Sequence, residues 1–321
     1  MSWRTGLRRA VGGVLNVSTA RLTTLRRVGP PVVPLDLEAY RRLAAPAPLD
    51  TASLLCGRSN RGRARVLEAV LQGLGPVERE PYQTLEGRGV NLFADLRPRA
   101  ARSAPPTVVL AAHHDAVPGS PGANDNAAGI GILLALRRRL DAAPLERLAV
   151  RLAFFAGEER AMLGSRVHVR RAWRRRPPSG LVGVVSLELC GIGDTFAVWD
   201  VTPPLERTPL LQGLTAAAEA LGARRDAGYY LTEPVPFFGS DHRPFAERGV
   251  PGVGLTMVPA AAVEPLRAFI YGGLRGVLVP PARRPEPFTT YHTAGDSPAT
   301  LQPETLARVV DLLEQLVRRL D

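Results

Sequence analysis

Hydrophobic and polar positions follow two alternating periods along most of the chain. From about residue 36, segments with apolar residues every three or four positions are separated by continuous or alternating apolar segments. This succession is typical of an α/β domain with βαβ units. The runs 107–112 and 148–155 are almost wholly apolar, which favours strands buried on both faces. The pattern predicts helices near 60–74, 126–141, 161–175, 206–222, 262–275 and 303–320, and strands near 89–96, 107–113, 147–156, 181–190, 194–200 and 252–258.

Composition places the chain among globular proteins. Of its 321 residues, 45% are hydrophobic, 22% are charged and 6% are aromatic, which is ample material for a core. No run of about 18 apolar residues occurs, so we expect no membrane span. The two cysteines, Cys56 and Cys190, are too few for a disulfide framework. Together with the lack of a convincing signal peptide, they favour a cytoplasmic location.

The charge balance is basic, with 41 arginines, no lysine and 30 acidic residues. The arginine clusters are scattered over segments of helical period, which is typical of solvated faces, and we expect no nucleic-acid partner. Residues 1–35 contain no acid and form an Arg-rich N-terminal extension, for which a transit peptide is a compositional alternative. Residues 36–321 are predicted to form one domain that carries the chemistry.

Polar residues that follow an apolar strand are the first candidates for chemistry, because ligand sites of α/β sheets lie beyond the carboxyl ends of strands. His113 and Asp115 follow the run 107–112 and share one face of the strand. They suit a metal ligand and its supporting carboxylate, although an ordinary polar strand end has the same pattern. Of the five histidines, His168 lies among arginines and is predicted to be an exposed helix residue.

Further acids occupy positions where a carboxylate is costly. Asp125 stands at the start of a predicted helix beside glycines, where it either caps the helix or bridges two cations. Glu158 and Glu159 are adjacent at the end of an apolar strand, and Glu188 interrupts another. Buried acids need partners, and cations would supply them. Two exposed acids in a loop are the alternative for Glu158 and Glu159.

The charges of these segments are those of a two-metal site. Three acids and two histidines form the set: Asp125, Glu159, Glu188, His113 and His292. Three carboxylates and one bridging hydroxide neutralise two divalent cations, and two imidazoles complete the ligands. Nitrogen and oxygen ligands without thiolate are typical of zinc, with Co²⁺ or Mn²⁺ as substitutes. We therefore expect two Zn²⁺ per chain, and Glu158, which is left over, has the position of a general base.

With these residues placed, the chain resembles the di-zinc aminopeptidases of the aminopeptidase Y and bacterial leucyl aminopeptidase type, which are related to glutaminyl cyclases and glutamate carboxypeptidases. The resemblance covers about residues 50–321 and implies a three-layer α/β sandwich, with helices on both faces of a central mixed, mostly parallel β-sheet. It rests on five strings: His113-His-Asp115, Gly122-Ala-Asn-Asp125-Asn-Ala-Ala-Gly129, Gly157-Glu-Glu159 with Gly164-Ser165, Ser240-Asp-His-Arg-Pro-Phe245, and Tyr291-His292 with Asp296.

The resemblance also implies roles for single residues. One zinc would be held by His113, Asp125 and Glu188, and the other by Asp125, Glu159 and His292. Asp125 would bridge the two ions. The family most often has Asp in place of Glu188, which is one methylene longer.

Three further residues take catalytic roles by the same resemblance. Glu158 would be the general base, Asp115 the partner of His113, and Tyr291 an oxyanion stabiliser. The segment 240–242 matches an element beside the substrate pocket, and we assign it a structural role and not a catalytic one.

The function expected from this set is hydrolysis of N-terminal residues from peptides, with a peptide bearing a free N-terminus as the partner. A single-zinc glutaminyl cyclase, another exopeptidase direction and a non-catalytic peptidase-fold binding protein remain alternatives. The number of metal ions per chain separates hydrolysis from cyclisation. An apolar specificity pocket has Phe237, Phe238, Met257 and Tyr229 as candidates, although core packing is the ordinary role of such residues.

Overall fold

The fold is seen in a computed structural model, which describes residues 36–43, 47–100, 104–175, 179–236, 238–273 and 278–321. The predicted Arg-rich extension, residues 1–35, lies outside the described residues, as does Phe237. No helix in the described ranges is long and apolar enough to cross a membrane.

A mixed β-sheet of eight strands forms the centre of the part of the chain that the structure describes. Its strands are β1 (Glu78–Gln83), β2 (Arg88–Leu96), β3 (Thr107–His113), β4 (Ala149–Phe155), β5 (Leu181–Leu187), β6 (Thr195–Trp199), β7 (Tyr229–Leu231) and β8 (Gly252–Val258). Their order is β1-β2-β4-β3-β5-β8-β6-β7. The four central strands, β4, β3, β5 and β8, run parallel, so their carboxyl ends meet at one edge.

Helices cover both faces of this sheet. They are α1 (Leu37–Arg42), α2 (Pro48–Leu55), α3 (Asn60–Leu74), α4 (Ala128–Ala142), α5 (Leu163–Arg175), α6 (Pro209–Ala220), α7 (Arg243–Ala246), α8 (Val263–Tyr271) and α9 (Pro303–Leu320). The larger core joins one sheet face to α2, α3, α4, α6 and α9, whereas α5 and α7 pack on the other face. The three-layer α/β sandwich is therefore confirmed.

All the predicted helices and strands have counterparts in the described residues, where five further α-helices and strands were not predicted. These are α1, α2, α7, β1 and β7. The strand β1 has the sequence EREPYQ, in which only Tyr82 is buried, so it carries little hydrophobic signal. The remaining missed elements are short, from three to eight residues, and too brief for a period to show.

The prediction for His168 is wrong. Its side chain is only 16% exposed and lies against the rings of Phe93, Phe155 and Phe245. Its Nδ1 is 3.1 Å from Oε2 of Glu80 on β1. The arginines around it suggested a solvated face, but α5 turns this position towards the sheet, where the imidazole packs as an aromatic ring with a polar edge.

Candidate metal centre

His113 ends β3 with its ring fixed from one side. It is 1% exposed, and its Nδ1–H donates a hydrogen bond to the carbonyl oxygen of Asp115 at 3.0 Å. In the neutral ring the opposite nitrogen, Nε2, carries the lone pair. It faces Oδ1 of Asp125 at 3.0 Å and Oε2 of Glu188 at 3.4 Å. A ligand nitrogen is thus aimed at two carboxylates at the edge of the sheet.

Asp125 lies between the two histidines. Its Oδ1 approaches His113, and its Oδ2 is 3.2 Å from Nε2 of His292. The segment is held by Asp296, whose two carboxylate oxygens accept the N–H groups of Asn124 at 2.7 Å and Asp125 at 3.2 Å. One oxygen of Asp125 therefore points to each half of the site, which is the geometry of a bridging carboxylate.

The second half of the site pairs His292 with Glu159. Nε2 of His292 is 3.0 Å from Oε2 of Glu159. The ring of Tyr291 stacks on the imidazole, with 3.7 Å between ring centroids and 20° between planes. His292 has a φ of 59°, in the left-handed region that non-glycine residues seldom adopt. This conformation and the stacking orient the imidazole towards Asp125 and Glu159.

Glu188 follows β5 and closes the first half. Its Oε1 accepts a hydrogen bond from the Ser240 hydroxyl at 2.5 Å, and Ser240 also contacts Ser186 at 2.7 Å. Nδ2 of Asn126 lies 3.4 Å from the other oxygen, Oε2. The longer side chain of Glu188 is thus directed at His113 by two neighbours.

The side-chain nitrogen and oxygen atoms of these histidines and acids are better arranged to bind a divalent cation than to form hydrogen bonds with one another. Ligand atoms of His113, Asp125 and Glu159 lie within 4.8 Å of each other. Nε2 of His113, Nε2 of His292 and Oε1 of Glu159 are buried without a properly aligned hydrogen bond to the described residues. Buried polar atoms of this kind are rare unless something else binds them. The donor set of imidazole and carboxylate is one that zinc accepts.

The electrostatics of the site call for added positive charge. Burial raises the pKa of Glu159 to about 7 and also raises the pKa of Glu158 and of Glu188 above the usual range. Burial disfavours the charged form of His292, but the nearby Glu159 and Asp125 outweigh it and raise its pKa to about 10. The carboxylates therefore outnumber the cations available to them, which is the condition a metal ion relieves.

Asp115 supports the neighbouring strand end instead of entering the centre. Its Oδ1 and Oδ2 accept the backbone N–H groups of Glu158 at 3.1 Å and Glu159 at 3.3 Å. Oδ1 is also 3.6 Å from Nδ1 of His113. It thereby ties the end of β3 to the turn after β4.

An apolar cavity that is open to solvent adjoins these residues. Asp125, Glu158 and Glu188 line its polar end. Its apolar wall includes Leu189, Phe238, Val263, Leu266, Ile270 and Phe288. Tyr291 lines the cavity as well.

The four pocket candidates from the sequence have different positions. Phe238 lines the cavity, whereas Met257 and Tyr229 are buried in the main core and do not reach it. Phe237 is outside the described residues. Core packing therefore explains two of the four.

No supporting role was predicted from the sequence for three residues that the structure places around the centre. Arg63 is fully buried and donates to the backbone carbonyls of His114 and Gly122, which flank the loop leading to Asp125. No signal distinguishes it among 41 arginines. Ser240 and Asp296 lay in strings that were recognised, but their hydrogen bonds only become visible once the strands are assembled.

Residues 91–317 match the model of peptidase family M28. The chain belongs to this family. The M28 match spans every residue placed in the centre above, and it confirms the resemblance found from the five strings. Which residues of this chain hold metal, and how many ions, stays a prediction.

Relatives in M28 are similar over part of their length. Aminopeptidase YwaD of Bacillus subtilis is 28% identical over 220 residues, which cover 66% of this chain and 41% of YwaD. The probable lipoprotein aminopeptidase LpqL of Mycobacterium tuberculosis is 42% identical over 62 residues, covering 19% of this chain and 12% of LpqL. The chain thus spans about two fifths or less of these relatives.

Solved structures share the fold. BSAP, a zinc aminopeptidase from Bacillus subtilis, superposes with a TM-score of 0.53 and 24% identity, covering 72% of this chain and 50% of BSAP. The glutaminyl cyclase of an Acidobacteriales bacterium superposes with a TM-score of 0.62 and 18% identity, covering 91% of this chain and 98% of that one. The α/β architecture is common to both activities.

Proposed function

We propose that the chain is a metal-dependent aminopeptidase that removes apolar N-terminal residues from peptides. The observation that carries this proposal is the position of Asp125 between two histidines, each with a further acid beside it. Two ligand sets that share Asp125 follow from it: His113, Asp125 and Glu188, and Asp125, Glu159 and His292. The names of YwaD and BSAP support the same activity.

The proposed cofactor is a pair of zinc ions held by these two sets, with Co²⁺ or Mn²⁺ as substitutes. Zinc would supply Lewis acidity there, which lowers the pKa of water towards 7 and polarises a carbonyl group. The protein's own contribution is to hold the ligands in place through Asp115, Ser240 and Asp296.

Glu158 is the acid that the two ligand sets leave over, and it lines the cavity. It would take a proton from the attacking water and pass it to the leaving amine, as a general base and then a general acid. Tyr291 lines the same cavity, and its hydroxyl would donate a hydrogen bond to the carbonyl oxygen that gains negative charge.

The substrate follows from the two ends of the cavity. Its apolar wall suits an apolar side chain, because a charged side chain would lose its hydration against these apolar residues. The acids at its polar end suit the positive α-amino group of a free N-terminus. Composition supports a cytoplasmic location and no nucleic-acid partner, and both stay predictions.

A single-zinc glutaminyl cyclase is the second candidate, favoured by the near-complete coverage of the cyclase structures. Against it, a single ion at Asp125, Glu159 and His292 would leave His113 facing Glu188 with its Nε2 unsatisfied. Two equivalents of zinc per chain support hydrolysis, and one supports cyclisation.

The test of the function is hydrolysis of leucyl p-nitroanilide by the zinc-loaded protein and by Glu158→Gln. We expect the variant to keep its zinc and to lose at least about 100-fold in kcat, the usual contribution of a general base. Glu146→Gln is the control, because Glu146 is 60% exposed and pairs with Arg99 on the surface. Full zinc occupancy without hydrolysis would contradict the proposal, as would near-normal turnover by Glu158→Gln.

A further inference from the structure

The side chain of Tyr82 crosses from the edge of the sheet to the end of β4. Tyr82 lies on β1, opposite Gly89 of β2, and is 4% exposed. Its hydroxyl donates to the carbonyl oxygen of Ala156 at 2.7 Å. A Cβ on Gly89 would lie 2.5 Å from that hydroxyl. The glycine therefore leaves the space through which the phenol reaches Ala156.

Asn91 binds the backbone N–H of Ala156, the residue whose carbonyl Tyr82 binds. Its Oδ1 accepts the N–H of Ala156 at 3.1 Å, and its Nδ2 donates to the carbonyl oxygen of Gly164 at 3.0 Å. The strand pairings of β4 end at Phe155, so Ala156 lies one residue beyond them. Two side chains thus replace the strand hydrogen bonds at this position.

The turn that leaves this point carries Glu158. Gly157 has a φ of +72°, and a Cβ there would lie 2.8 Å from the hydroxyl of Tyr82. The turn closes through the N–H of Leu163, which donates to the carbonyl of Gly157 at 2.8 Å. The start of the turn is therefore in contact with the phenol of Tyr82, while Glu158 lines the cavity.

We propose that Tyr82 is a positioning residue for Glu158, because its hydroxyl fixes the residue from which the turn departs. It acts together with Asn91 and does not touch the substrate. Tyr82 lies before residue 91, where the M28 match begins. The catalytic consequence rests on the function proposed above, whereas the ordering of the turn does not.

The experiment compares Tyr82→Phe with Tyr229→Phe. Both variants remove the hydroxyl of a buried tyrosine that makes one hydrogen bond, since Tyr229 is 3% exposed and donates to Glu219 at 2.8 Å. Tyr229 lies on the far edge strand β7. We measure kcat and KM with leucyl p-nitroanilide at full zinc occupancy, and amide hydrogen exchange over residues 157–163.

For Tyr82→Phe we expect kcat to fall about five-fold and exchange over residues 157–163 to rise about five-fold, with KM within two-fold, as the loss of one hydrogen bond would cause. Tyr229→Phe should change neither. Gly89→Ala, which crowds the intact hydroxyl, should reproduce both changes.

The proposal requires turnover and exchange to change together. A change in only one of them, or equal changes in Tyr229→Phe, would overturn it, because the hydroxyl would then act elsewhere or only on overall stability. If the zinc-loaded wild type hydrolyses no anilide, the proposed function fails and exchange alone decides the positioning. Unchanged exchange in Tyr82→Phe and Gly89→Ala would then refute it.

Discussion

Asp200 is the residue whose charge we expect to matter most for stability outside the metal centre. It follows β6, and its carboxylate accepts two hydrogen bonds from Arg243, at 2.5 and 2.9 Å. Nε2 of His242 at 2.9 Å and the N–H of Val235 at 2.8 Å complete its contacts. The side chain of Asp200 is 11% exposed and that of Arg243 is 7% exposed, so the pair is largely removed from water.

The substitution Asp200→Asn removes the charge and keeps the shape. Asp200 has a φ of 65°, a conformation that Asn tolerates, so little backbone strain is added. Breaking a buried pair typically costs about 3–5 kcal/mol, since the remaining charge is left unpaired. Asn can still accept the N–H of Val235, so we expect the free energy of unfolding to fall by about 3 kcal/mol at pH 7.

Asp95→Asn is the matched control. Asp95 makes the same two-pronged contact with Arg151, at 2.7 and 2.8 Å, but its side chain is 46% exposed. An exposed pair is screened by solvent, and its loss should cost less than about 1 kcal/mol. The comparison therefore sets a buried and an exposed pair of the same two-pronged geometry side by side.

The stability that Asp200 contributes depends on pH with a definite sign. Burial opposes ionisation of Asp200, but the hydrogen bonds from His242 and Arg243 outweigh it and hold its pKa well below the usual value. The pKa of an aspartate in the unfolded chain is about 3.9. A lower pKa in the folded protein contributes its full stabilisation at pH values above about 3.9, and this contribution is lost as the pH falls. The difference between wild type and Asp200→Asn should be roughly 1 kcal/mol smaller at pH 3 than at pH 7.

Urea unfolding at both pH values measures these differences. A cost below about 1 kcal/mol at pH 7, or equal costs for Asp200→Asn and Asp95→Asn, would refute the reasoning from burial. A difference that grows as the pH falls would refute the assignment of a lowered pKa to Asp200.

Two further predictions concern the centre and the cavity. Ser240→Ala removes the donor to Oε1 of Glu188 and should weaken zinc binding about ten-fold, which competition with a chromogenic chelator measures; an unchanged Kd would show that Glu188 needs no such support. Leu266→Trp enlarges an apolar wall residue and should lower kcat/KM for leucyl p-nitroanilide at least about ten-fold more than for the alanyl substrate. Equal losses on both substrates would place Leu266 outside the specificity pocket.

Much of the centre was predictable because its residues follow strands with strong signals. His113 is the last residue of β3, Glu158 lies three residues after the end of β4, and Glu188 comes directly after β5; all three strands are largely apolar. Parallel strands bring their carboxyl ends together, so polar residues far apart in the chain meet at one edge. Position after a strand is therefore enough to group them.

The supporting residues could not be found in this way. Tyr82 lies in an edge strand whose other residues are mostly exposed, and its partner Gly89 shows its purpose only when the strands are paired. Asp200 has a left-handed backbone after β6, and its partner Arg243 is 43 residues away. Their roles depend on strand register and on packing, which local sequence patterns do not contain.

Glu188, where the resemblance implies Asp more often, is accommodated by neighbours that direct the longer side chain. Ser240 binds one of its oxygens, and the other lies 3.4 Å from Nε2 of His113. Ser240 stands just before His242 and Arg243, both of which are fixed by Asp200. Because this chain of contacts ends at Glu188, loosening Asp200 should also weaken metal binding on the His113 side. The stability of this buried ion pair and the placement of Glu188, the proposed metal ligand, thus depend on one network.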